Sequence, residues 1–105
     1  MDVSVEVKVE RQGKAKVYLL TLQAEVFELN VRVPENEAHE FSLVASSRWE
    51  DGSMQIGESA GAPVFWSTEE GVTAILIGDD DEHWDIALSV PVATVDAIIQ
   101  AIAQA

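Results

Sequence analysis

Cysteine is absent from this chain, which excludes a disulfide framework, thiolate metal sites and a cysteine nucleophile. Cations are scarce and confined. Lys8, Arg11, Lys14, Lys16, Arg32 and Arg48 are all six of them, and each lies within the first 48 positions. From Trp49 onward the chain carries eleven acidic residues and no lysine or arginine. Only eight acids oppose the six cations before that point, so most of the net charge of −13 belongs to the later half. Direct contact with nucleic acid or an anionic membrane is repulsive there, because Lys and Arg make such contacts. A field of this size bears on partners and solubility rather than on fold, and it points to a positively charged macromolecule. Apolar runs never exceed a few residues, far short of the ~20 that a spanning helix needs. Met1-Asp2-Val3-Ser4 offers neither a basic n-region nor an apolar h-region. A soluble, cytoplasmic protein is the expectation.

What is present suits an ordinary core. The 105 residues are 48% hydrophobic, heavily valine and isoleucine, and a single domain over 1–105 is expected. A chain of this size buries roughly 65% of its unfolded surface. The apolar residues alternate in ordered runs, which argues against disorder despite the charge.

Val3, Val5, Val7 and Val9 alternate with Ser4, Glu6, Lys8 and Glu10, the period of a half-buried strand. Arg11 to Lys14 reads as a hairpin turn. Ala15 to Val33 is β-rich but too long for one strand, so a bend is expected near Gln23 to Glu25. Phe27, Leu29, Val31 and Val33 alternate in its second half. Pro34 ends the strand, and Glu35 to Glu40 reads as a polar connection. Phe41 to Trp49 is a further strand candidate, followed by Asp51-Gly52, a strong hairpin signal. Met54 to Gly57 returns from it, and Glu58 to Pro63 reads as a loop of small residues. Strands are then expected at Val64 to Ser67, Val72 to Ile77 and Trp84 to Val90, separated by a turn at Thr68 to Gly71 and a loop at Gly78 to His83.

The tail changes period. Val92, Val95, Ile99 and Ile102 fall at helical spacing, with Ile98 widening the stripe. Thr94 is placed to cap the helix and Asp96 to favour its N-terminus. The expected fold is α+β: an antiparallel meander of about seven strands with one C-terminal helix packed on a face. In such a meander successive turns alternate between the two ends of the sheet. That places the loops 34–40, 58–63 and 78–83 at one end, gathering Glu35, Glu37, Glu40, Glu58, Asp79 to Glu82, His39 and His83.

Three motifs invite chemistry. Gly57-Glu58-Ser59-Ala60-Gly61 fits G-x-S-x-G and resembles the nucleophile elbow of esterases, with acids and His83 downstream in the matching order. That elbow needs a strand before it and a helix after it; here Ala62-Pro63 and a β-like segment follow, so no catalytic residue is assigned. The run Gly78 to Asp85 offers oxygen ligands for Ca²⁺ or Mg²⁺ but lacks the glycine and terminal glutamate of an EF-hand. His39 and His83 would serve a transition metal only if their loops converge. No metal site and no cofactor is assigned.

Phe65 and Trp66 are neighbours in an expected strand and so face opposite sides of the sheet. One of them, together with Trp84 beside the acidic loop, suits a partner interface, since tryptophan is enriched at hot spots and surrounding charges steer approach. The expected function is an acidic protein-binding module, not an enzyme, that docks on and blocks a basic surface of another protein, such as a nuclease or nucleic-acid-binding protein. In size and charge the chain resembles immunity proteins that neutralise nuclease toxins and phage inhibitors that occupy nucleic-acid-binding grooves. The residues expected to touch the partner are Asp79, Asp80, Asp81, Glu82, Trp84, Asp85, Trp66, Glu69 and Glu70. A structural or assembly module that forms a homo-oligomer, a homodimer among the cases, and a small metal-binding domain are the alternatives.

Overall fold

A computed structural model describes residues 1–105. Seven antiparallel strands, β1 (Ser4–Gln12), β2 (Ala15–Gln23), β3 (Glu28–Pro34), β4 (Met54–Ser59), β5 (Ala62–Glu69), β6 (Val72–Gly78) and β7 (Trp84–Pro91), form one sheet in sequence order. Two short helices, α1 (Glu35–Ala38) and α2 (Phe41–Val44), and a 3-10 turn (Trp49–Asp51) lie between β3 and β4; α3 (Ala93–Ala103) ends the chain. The expected meander with a C-terminal helix is the observed fold.

The alternation of the strands decides which face is buried. Tyr18, Leu20 and Leu22 of β2, Leu29, Val31 and Val33 of β3, Ile56 of β4, and Val64 and Trp66 of β5 all point to one face and are buried. Helix α3 packs against β1, at the far edge from the β7 it follows, and against α2. The sheet therefore curls, and its inner face is closed by Phe41, Val44, Val95 and Ile98. Val95 and Ile98 form the buried centre of the helix stripe, with Ile99 and Ile102 at its flank. Residue Val92, rather than Thr94, occupies the N-cap, and no side chain caps the helix.

The segment from Phe41 to Trp49 is not a strand. Phe41 and Val44, three apart, are both buried, whereas Leu43 is 55% exposed, the spacing of a helical turn rather than of a pleat. Ser42 and Ser46 donate hydroxyl hydrogen bonds to the carbonyls of His39 and Leu43, three residues back. Asp51-Gly52 is not a hairpin either; Gly52 closes the 3-10 turn by donating its N–H to the Trp49 carbonyl.

Losing that strand changes which loops meet. The pairing of Arg32 with Glu58 and of Ser59 with Ala62 puts the 58–63 connection at the end of the sheet that also holds Asp79 to His83. Glu35, Glu37, His39 and Glu40 leave β3 at the opposite end, so the expected gathering of all three loops does not occur. Glu37 instead accepts a hydrogen bond from the Gly57 N–H at 2.9 Å, tying α1 to β4.

Helix and strand arrangements of 41–49 predict different losses. Phe41→Ala, in edge-to-face contact with Trp66 at 5.0 Å, is expected to cost about 3–5 kcal/mol in urea unfolding. Leu43→Ala is expected to cost about 0.5 kcal/mol or less; equal losses at Phe41 and Leu43 would restore the strand.

Candidate partner-binding surface

Strand β7 does not keep one alternation throughout. Ile77 pairs with Ile86 but Gly78 pairs with Trp84, so Asp85 is an extra residue in β7. An added residue moves the side chains beyond it to the other face. Ile86, Leu88 and Val90 share the inner face with Ile77 and Ile75, while Trp84 lies on the outer face with Gly78 and Leu76. Gly78 is required there: a Cβ at this position would lie 2.4 Å from the Trp84 Cα and 2.6 Å from the His83 carbonyl oxygen.

The 3-10 turn lies across the same outer face. Trp49 meets Trp84 edge to face, with ring centroids 5.9 Å apart at 89°. Trp49 and Trp84 are 39% and 43% exposed. They stand at one end of a shallow groove of about 310 Å³ whose floor is Ser67, Val72, Ala74 and Leu76, with Glu69 at its margin. Phe65 and Leu76 are otherwise well covered on this face.

The acidic loop borders the tryptophan pair and is itself ordered by its acids. Asp80 Oδ1 accepts the backbone N–H groups of Glu82 and His83, each at 2.8 Å. His83 Nδ1 lies 2.9 Å from the same oxygen. These backbone and imidazole hydrogen bonds hold the Asp80 carboxyl below its ordinary value of 3.8. The same carboxylate, helped by the charges of Glu82 and Asp79, raises His83 above its ordinary 6.5. Asp81 accepts a hydrogen bond from the Ser53 hydroxyl at 2.9 Å and so fastens the 3-10 segment to the loop. A second hollow joins Trp49, Glu50 and Gly52 to Asp81 and Glu82. Asp79 and Glu82 remain exposed, their carboxylates without a partner in the chain.

Lysine and arginine ion pairs occur only as Lys8–Glu6, Lys16–Glu35 and Arg32–Glu10. None of the acids from Glu50 onward has such a partner, so this surface concentrates negative charge beside exposed aromatic rings, with Arg48, at the start of the 3-10 turn, the one cation next to it.

The expected site residues divide accordingly. Asp79, Asp80, Asp81, Glu82, Trp84 and Asp85 lie together at the start of β7. Glu69 and Glu70 lie at the opposite end of the β5–β6 hairpin, with Glu69 reaching the far margin of the groove. Trp66 does not belong to the surface. It is fully buried on the inner face, its indole N–H donated to the Ile56 carbonyl at 3.0 Å. Trp49 is the residue sequence reasoning missed; the adjacent acids Glu50 and Asp51 were the available signal.

The remaining motifs resolve simply. Ala60 and Gly61, both at positive φ, form a two-residue hairpin turn between β4 and β5, so no helix follows Ser59 and the elbow geometry is absent. His39 lines a separate apolar groove with Tyr18, Ala38, Ile99 and Ile102, away from His83. No group of three or more His, Asp or Glu side chains is arranged to hold a metal ion. Comparison with known proteins finds no matching family, no similar curated protein and no similar solved structure.

Two outcomes follow from this geometry. The Asp80–His83 pair stabilises the loop fully between the ordinary values of 3.8 and 6.5. It is lost as pH rises through the raised histidine value, and again as pH falls through the depressed aspartate value. An NMR titration should place His83 above 6.5 and Asp80→Asn should bring it back; an unchanged value in the variant would contradict the pairing. Gly78→Ala should abolish the exciton signal of the tryptophan pair in circular dichroism, and its persistence would show that the bulge does not depend on this close approach.

Proposed function

We propose that this chain is a protein-binding module, not an enzyme, that docks on a basic surface of another protein and blocks it. The observation that carries the proposal is the exposed Trp49–Trp84 pair on an apolar groove, bordered by acids that form no ion pair with lysine or arginine, with Arg48 beside Trp49 the one cation at this surface. Half-exposed indoles supply area and a negative ring face, and a Lys or Arg set over such a ring gains about 0.5–2 kcal/mol. The carboxylates add steering and specificity more than affinity: they raise the rate of encounter with a basic partner and reject acidic ones. A surface that offers carboxylates where a partner expects phosphates is suited to a nuclease or another nucleic-acid-binding protein as its target.

Self-association is the competing use of the same apolar groove. The charge opposes it, since each copy carries −13 and acids stand at the groove's margins, Glu69 on its lining and Glu50, Asp81 and Glu82 beside Trp49. Exposed charges are screened within about 8 Å at physiological ionic strength, so salt separates the two cases: it weakens docking to a basic partner and favours pairing of like-charged copies.

The test is capture of partners from host cells or their competitors on the tagged protein, washed at low and at high salt, followed by kinetics on the protein captured. A basic or nucleic-acid-processing protein released by salt is expected. Against it, Asp79→Asn with Glu82→Gln should lower kon several-fold at low salt and leave the fold intact. Trp84→Ala should weaken binding roughly tenfold, mainly through koff. Binding that ignores salt and both sets of substitutions would remove this surface from the function.

A further inference from the structure

The two edges of the sheet are protected unequally. β1 carries Glu6, Lys8, Glu10 and Arg11 along its length, and α3 packs against it. Such charges and such cover are how natural sheets keep an edge from pairing with other strands. β7 is the opposite edge, paired only with β6. From Ile86 to Pro91 it has no ionisable side chain. Trp84 and Ile86 are 43% and 49% exposed, on opposite faces of this edge. Alternate N–H and C=O groups of an edge strand point outward without partners in the sheet. They end at Pro91, which has no N–H, and at Val92, whose N–H is donated to the Gly71 carbonyl.

Acidic turns bracket this open edge. Asp79 to Glu82 lead directly into β7. At its other end Pro91 pairs with Val72 of β6, which pairs in turn with Glu69 at the end of β5, two strands inward, and Glu70 follows in the β5–β6 turn. We infer that β7 is a template for strand addition, and that its occupant is an extended segment of a basic partner, apolar in the middle and carrying Lys or Arg at both ends. The inference rests on the proposed role as a basic-protein-binding module and specifies how the partner is held. At ~3.3 Å per residue the free edge matches a segment of about seven to nine residues. Its backbone would pair with β7, its inward side chains would meet Ile86 and Leu88, and its outward ones Trp84. A second copy of this chain fits poorly. Antiparallel pairing of two β7 strands brings the 79–82 loop of one copy toward the 69–70 turn of the other, acid against acid.

The probe is a synthetic peptide, Lys-Lys-Val-Thr-Val-Thr-Val-Lys-Lys, compared with a version ending in Glu-Glu and with two versions N-methylated on alternate residues, one in each register. Affinity, amide hydrogen exchange and the size of the protein in solution are read together. The inference expects the Lys-ended peptide to bind and to slow exchange along β7. One N-methylated register should bind roughly tenfold or more weakly, and the Glu-ended peptide should not bind. Binding that shifts Trp49 and Trp84 but is indifferent to N-methylation in both registers would overturn strand addition while leaving the basic-partner function standing. Equal binding of Lys- and Glu-ended peptides would overturn the basic occupant and the charge argument with it. No binding at millimolar peptide, or a dimer protected along β7, would also overturn the inference.

Discussion

Side chains along a strand alternate between faces, so one extra residue carries everything beyond it across the sheet. Asp85 is that residue in β7, and Gly78 opposite allows the two backbones to approach closely enough for the bulge to form. Without it Trp84 would continue the inner-face row of Ile86, Leu88 and Val90. With it Trp84 stands on the outer face against Trp49, and the acidic loop folds over toward Ser53. The candidate surface therefore depends on the bulge at the β7 edge, which is separate from the register shift between Gln55 and Glu58 in β4.

The inner face bears the stability and leaves the outer face free for binding. Its buried row runs through every strand from β2 to β7 and is closed by α2 and α3. Burial of apolar area at about 25 cal/mol per Å² is the main favourable contribution to such a core. A separate, well-packed core lets the chain tolerate the mutual repulsion of its acids. Within the acidic loop the repulsion is partly offset locally, because Asp80 is satisfied by two backbone N–H groups and His83. The loop is thus both ordered and strongly negative, a better presentation of charge than a mobile acidic run.

Much of the fold was legible in the amino-acid sequence because β1, β3 and the residues of β7 alternate apolar with polar, β5 and β6 are short apolar runs bounded by turn residues, and α3 changes to helical spacing. The region from Phe41 to Gly52 was misread, since Phe41, Leu43 and Val44 satisfy strand and helix spacing alike and Asp51-Gly52 imitates a hairpin. One spurious strand then reversed the expected ends of the preceding loops, which is why His39 and His83 were expected together and lie apart. The acidic half of the site was visible as composition. Its aromatic half was only partly so: Trp84 was identified, Trp66 proved to be core, and Trp49 was hidden by the misread segment. The bulge left no signal beyond Gly78, because whether a glycine ends a strand or admits a close backbone depends on the strand beside it.

The central claim is that Trp49 and Trp84 are accessible within a strongly negative field while Trp66 is not. Collisional quenching of tryptophan fluorescence at low ionic strength tests it directly, using caesium, iodide and neutral acrylamide on the wild type and on Trp84→Phe. Quenching by caesium well above that by iodide, with part of the emission resistant to all three agents and the accessible part reduced in Trp84→Phe, is the predicted result. Equal quenching by the cation and the anion, or emission wholly shielded from acrylamide, would contradict the account.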